Sequence, residues 1–187
     1  VYPLDLSLAP LSSNRVLATY IESSDVDNDV DNKVVYAALN SSGSLTRSPT
    51  QIPGSNGYQP RAVQFQDGTV LIAWVEVDGR VGYAFLDKAL NQKAGTPRYF
   101  SQVNRRSAGS LSLTLDRQNH AVLTWVDGDD WDYLIYALLT SDEVVRTPPM
   151  IFISDPFGDP LYTTSDFGFG NAGYFGVYQH FLPTINR

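Results

Sequence analysis

The side chains of this sequence best suited to chemistry are carboxylates. The stretch "DVDNDVD" places Asp25, Asp27, Asp29 and Asp31 at alternate positions. Hard cations such as Ca2+ take about six to eight oxygen ligands, and a D-x-D-x-D spacing can wrap a loop around one ion. The pattern departs from an EF-hand loop twice. Val30 stands where a glycine would give the tight turn, and Tyr36 stands where the closing glutamate would be. Asp25, Asp27, Asp29 and Asp31 are therefore candidate Ca2+ ligands; the reading set beside this is a solvated acidic loop held open by repulsion. A second stretch, "DGDDWDY", sets Asp127, Asp129 and Asp132 around Trp131. It could hold a second cation, or offer the indole face to a sugar ring. Alternatively, Trp131 packs under its own loop.

Other chemistries find less support. The two histidines, His120 and His180, have no partner at metal-ligand spacing, and no Gly-x-Ser-x-Gly elbow or phosphate-cradling glycine loop occurs. A glycosidase needs two carboxylates facing one pocket. Asp5 and Asp166 are the candidates for that pair, for a reason of position given below. Arg105 and Arg106 form the one basic spot among the acidic loops and could meet a neighbouring copy; the alternative is two solvated arginines. With no cysteine, the chain has neither a disulfide framework nor a thiolate nucleophile. A net charge of −7 argues against nucleic acid as a partner. No apolar run reaches the roughly 18 residues a membrane span needs. The sequon at Asn40–Ser42 matters only in a source that glycosylates asparagine.

The elements that must position these residues repeat along the chain. "VVYAALNSSGSLTRSP", "VGYAFLDKALNQKAGTP" and "LIYALLTSDEVVRTP" share a Tyr-Ala step, an apolar pair, a polar turn and a proline. The aromatic that ends each preceding run, Tyr20, Trp74, Trp125 and Tyr178, recurs every 51 to 54 residues. A period near 50 is that of a four-stranded propeller blade. β-Branched and aromatic runs between turn residues predict strands. No stripe of helical period predicts a helix. Runs that are apolar at nearly every position predict strands buried on both faces.

On these residues the chain resembles the β-propeller repeats of exported bacterial proteins, with a "dGxxxxaWv…vxYalld" pattern and without the Asp-box, kelch or WD40 signatures. The resemblance implies an all-β propeller of four-stranded antiparallel blades, with about three and a half blades visible in residues 1–187. The units fall at about 1–53, 54–104, 105–156 and a partial 157–187. Innermost strands are expected near 4–9, 61–66, 111–115 and 163–168. That places Asp5 and Asp166 on the central channel and gives the reason for choosing them. Second strands are expected near 15–21, 69–76, 120–126 and 173–179. Third strands are expected near 33–39, 80–86 and 133–139, and outer strands near 49–52, 96–101 and 147–153. The incomplete fourth unit could belong to a longer chain, be completed by a neighbouring subunit, or close through the two termini. The first of these is the expectation.

The acidic loops then share one face. The expected function is a non-catalytic extracellular or cell-surface binding module whose acidic face meets Ca2+, a glycan or another protein. One alternative is a structural subunit of an extracellular assembly, self-associating by strand addition at an open blade edge. The other is a propeller glycoside hydrolase. No cofactor other than Ca2+ is expected. A leader for export would have been removed or be encoded outside this stretch.

Overall fold

Polar turns cut the chain into strands short enough to pair with their immediate neighbours, and the fold follows from that. The computed structural model describes residues 2–23, 32–100, 108–127 and 133–154. These residues form twelve strands: β1 (Tyr2–Leu11), β2 (Arg15–Ser23), β3 (Asn32–Leu39), β4 (Leu45–Gln51), β5 (Gly57–Gln64), β6 (Val70–Glu76), β7 (Val81–Leu86), β8 (Arg98–Phe100), β9 (Ala108–Leu115), β10 (Ala121–Asp127), β11 (Tyr133–Leu139) and β12 (Val145–Ser154). They pair in three four-stranded antiparallel sheets, β1 to β4, β5 to β8 and β9 to β12, each in sequence order. This is the expected all-β propeller architecture, with one blade per repeat. The partial fourth unit lies outside the described residues. No helix among the described residues is long and apolar enough to cross a membrane.

Each turn has a local cause. Between the first and second strands, Asn14, Gly68 and Asn119 take a left-handed backbone, with φ of 54°, 89° and 63°. Asp67 and Asp116 brace two of these turns by accepting backbone N–H groups from Thr69 (2.9 Å) and from Gln118 and His120 (2.8 Å each). Between the third and fourth strands, Gly43, Leu90 and Glu143 play the left-handed part. There Asn40 Oδ1 accepts from Ser42 N and Ser44 N, as Asp87 Oδ1 does from Ala89 N and Asn91 N. The sequon asparagine is thus a hairpin cap.

The outer strands differ from expectation. β4 and β12 begin at Leu45 and Val145, so Pro49 and Pro148 lie inside them rather than at their start. Both prolines fall where the register slips, between Tyr36/Ala38 in one blade and Tyr136/Leu138 in another. A bulge on an edge strand is where a missing N–H costs least.

Three of the six middle strands are buried throughout. Every residue of β6, β7 and β10 is buried. Among the described residues the core is two seams between blades. Blade 1 meets blade 2 through Leu17, Ile21, Val34 and Tyr36 against Ile72, Trp74 and Leu86. Blade 2 meets blade 3 through Leu71, Tyr83 and Phe85 against Leu111, Leu123 and Trp125. Phe100 bridges the second seam, stacked 4.7 Å from Tyr83 and 5.9 Å from Trp125 between ring centroids. In the first seam the buried Tyr36 hydroxyl donates to Leu90 O across the blades, at 3.0 Å. Tyr36→Phe strands that carbonyl while leaving the packing intact. It should lower stability by about 1–2 kcal/mol, read as a reduced midpoint in urea with an unchanged slope.

Candidate functional site at the inner strands

The innermost strands converge: β1 packs on β5, and β5 on β9. Each carries one irregularity at the same point. Asp5-Leu6 stand opposite the single residue Tyr20, Gln59-Pro60 opposite Trp74, and Ser110-Leu111 opposite Trp125. The first residue of each bulge has a positive φ: 51° at Asp5, 54° at Gln59 and 49° at Ser110. Non-glycine residues seldom occupy that region, and bulges re-aim side chains, so three at equivalent positions mark a built feature. The bulges are also tied to one another. Asp5 Oδ2 accepts from Gln59 N at 3.1 Å, and Gln59 Oε1 accepts from Leu111 N at 3.1 Å. A carboxylate, an amide and a hydroxyl therefore sit on three neighbouring inner strands, with the Asp5 side chain exposed.

A second polar group lies two residues beyond the bulge aromatic. Glu76 is only 4% exposed, yet it carries a carboxylate. Oε1 accepts from the Trp74 indole N–H at 2.6 Å, and Oε2 accepts from Asn56 N at 3.1 Å. Burial pushes its pKa above the usual glutamate value, against the opposing pull of those two hydrogen bonds. Asn56 Oδ1 in turn accepts from Asn32 N, and Ser55 Oγ from Val34 N, at 2.8 Å and 3.0 Å. Glu76 thus anchors the connection that ties blade 2 to blade 1 at the foot of the first acidic loop.

Of the residues singled out in the sequence, Asp5 takes the expected inner-strand position. Asp127 ends β10 and is buried at 1% exposure, paired in register with Tyr133 and Ala108. Asp25, Asp27, Asp29, Asp31, Arg105, Arg106, Asp129, Trp131, Asp132 and Asp166 lie outside the described residues. Among the described residues no cluster of three or more His, Asp or Glu could hold a metal ion.

Two features were missed. Gln59 and Ser110 carry no signal of their own, but each stands 15 residues before the strand aromatic, as Asp5 does. The aromatic is also followed two residues on by an acid in each described blade: Tyr20 by Glu22, Trp74 by Glu76 and Trp125 by Asp127. Tyr20 repeats the contact, its hydroxyl donating to Glu22 Oε1 at 3.3 Å.

No protein-family model and no curated protein matches the chain. Solved structures do. An exo-β-1,3-galactanase from Phanerochaete chrysosporium, solved with galactose, superposes with a TM-score of 0.58 at 11% identity, over 82% of this chain and 39% of its own. A putative exo-β-1,3-galactanase from Bifidobacterium bifidum gives 0.53 at 11% identity, over 85% and 56%. A putative glycosidase from Bacteroides thetaiotaomicron gives 0.51 at 15% identity, over 86% and 52%. The likeness is one of fold, and the chain spans between 39% and 56% of the length of these three proteins.

Proposed function

We propose that this chain is the propeller, or part of the propeller, of an exported carbohydrate-active protein of the glycoside hydrolase type. The observation that carries the reading is Asp5, an exposed carboxylate set by a left-handed bulge on the innermost strand. The fold is shared with proteins described as galactanases and a glycosidase. That likeness favours hydrolysis over the non-catalytic module expected first from the sequence. Glycoside cleavage needs one carboxyl group to protonate the leaving oxygen and another to activate water or attack the anomeric carbon. Asp5 is one member of the pair, and Asp166 is the candidate for the other.

The test is release of reducing sugar from a panel of polysaccharides that includes β-1,3-galactan. The wild-type chain should hydrolyse at least one. Asp5→Asn should abolish turnover while retention of the variant on the same polysaccharide in an affinity gel persists.

One observation favours a second reading, glycan binding without hydrolysis. The bulges of blades 2 and 3 present Gln59 and Ser110, groups that hydrogen-bond sugar hydroxyls but do not carry protons at neutral pH. Retention without turnover, weakened by Gln59→Ala, would support it. Neither retention nor turnover on any member of the panel would sink both readings.

A further inference from the structure

Asp5 owes its orientation to a donor on the next blade. Its Oδ2 accepts from Gln59 N at 3.1 Å, and among the described residues no second hydrogen bond reaches this carboxylate. The bulge makes that donor available. Gln59 and Pro60 together face Trp74, so one residue is left out of the ladder with β6, and the Gln59 N–H serves blade 1 instead. Pro60 could not replace it, because proline has no N–H. Its counterpart in blade 3, Leu111, does have one, and Gln59 Oε1 accepts it at 3.1 Å.

Gln59 therefore works in two directions. Its backbone donates to blade 1, and its side chain accepts from blade 3. The backbone it must hold is an unfavourable one. A φ of 54° is rare for a residue with a side chain, and a residue before proline prefers extended backbone, so two local preferences oppose this conformation. Such a conformation persists where the surroundings over-determine it. The bond from Leu111 N to Gln59 Oε1 is the tie from outside the strand. Arg61 Nη1, donating to Pro60 O at 2.9 Å, braces the same bulge from within the strand.

We propose that Gln59 is the positioning residue of Asp5: by taking the Leu111 N–H of blade 3 on its side chain, it keeps its own N–H on the blade 1 carboxylate. The consequence for turnover rests on the hydrolytic reading given above; the positioning itself does not. An exposed carboxylate held by one N–H loses its aim when that N–H swings away, and a displacement of about 1 Å can cost about a hundredfold in rate.

Hydrogen exchange of single amides, followed by NMR on the whole chain, tests this. Gln59→Met keeps the length of the side chain and removes the acceptor, whereas Gln59→Glu keeps the acceptor. In Gln59→Met the amides of Leu111 and of residue 59 should both exchange about tenfold or more faster than in wild type, as should the residue-59 amide in Asp5→Ala. Gln59→Glu should bring both back towards wild type. The amides of β6, buried along its length, report global opening in the same spectra and should not change. On a polysaccharide that the wild type hydrolyses, Gln59→Met should lower kcat by about tenfold or more with KM near wild type. A raised KM at unchanged kcat would make Gln59 a sugar contact and overturn the proposal. So would a residue-59 amide that Gln59→Met leaves as protected as in wild type, or an acceleration shared by β6, which would make Gln59 a general stabiliser. If the wild type hydrolyses nothing in the panel, the hydrolytic reading falls by itself, and exchange at residue 59 still decides whether Gln59 sets Asp5.

Discussion

Gly57→Ala should cost about 3 kcal/mol or more and leave the chain largely unfolded in mild denaturant. A Cβ at this position would stand 2.1 Å from the carbonyl oxygen of Val75 and 2.8 Å from Cδ1 of Trp74. The first obstacle is backbone in a strand buried along its whole length, so it has no rotamer by which to yield. Gly82 presents the other wall of the same slot. A Cβ there would lie 2.5 Å from Cε2 of Trp74, against side chain alone. The two substitutions should therefore respond differently to a smaller aromatic. Trp74→Phe should recover a substantial part of the stability lost in Gly82→Ala and little of that lost in Gly57→Ala. Urea titration of the four variants in a double-mutant cycle separates the two cases. Equal rescue at both positions would mean that the backbone at Gly57 moves aside, and the slot would not be rigid.

That slot also shows how far the sequence could be read. The repeat was legible because each blade must bury both faces of its middle strands, and that need writes the same apolar runs at the same spacing. "TVLIAWV" and "VGYAFLD" became β6 and β7 within a residue or so at each end. Inner strands were read late and short. β5 was expected from residue 61 and begins at Gly57. "GYQPRAVQ" contains a proline and a left-handed glutamine, both of which argue locally against a strand. The bulge that accommodates them is a tertiary feature, set by the aromatic across the ladder. Outer strands were misplaced for a related reason: Pro49 and Pro148 read as strand starts, whereas both fall at slips in the β-ladder of an edge strand.

The candidate site was legible at one residue in three. Asp5 could be picked because it is a carboxylate on a strand expected to face the axis. Gln59 and Ser110 could not be picked by type, since neither residue is rare or chemically marked; only their spacing from Trp74 and Trp125 reveals them. The buried acid was hidden by a different ambiguity. "WVEVDGR" reads as a strand running into a polar hairpin, and Glu76 belongs by type to the solvated turn. What places it inside is the Trp74 indole, which lies against Gly57 and Gly82 and donates its N–H to the carboxylate.

Glu76 is accordingly where the second large effect is expected. Glu76→Ala would leave the indole N–H of Trp74 and the backbone N–H of Asn56 buried without an acceptor. At about 1–3 kcal/mol for each of the two stranded donors, the loss should be about 2–6 kcal/mol. The cost should grow with the consequences for Asn56, which holds Asn32 of blade 1. Glu76→Gln tests the charge separately. Burial is the largest influence on this carboxyl and raises its pKa above 4.5, with Asp78 pushing the same way and Arg80 and the two hydrogen bonds opposing. A group whose folded pKa is raised binds its proton more tightly in the folded chain. Its stabilising contribution is full below the unfolded value and is lost as pH rises through the folded value. Wild-type protein should therefore gain stability relative to Glu76→Gln as pH falls from neutral towards 4.5, since glutamine does not titrate. Thermal melts of both proteins at several pH values across that window measure the difference directly. Parallel curves would mean that the two hydrogen bonds hold the carboxylate ionised as firmly as water does, and that burial at this seam carries no proton-linked cost.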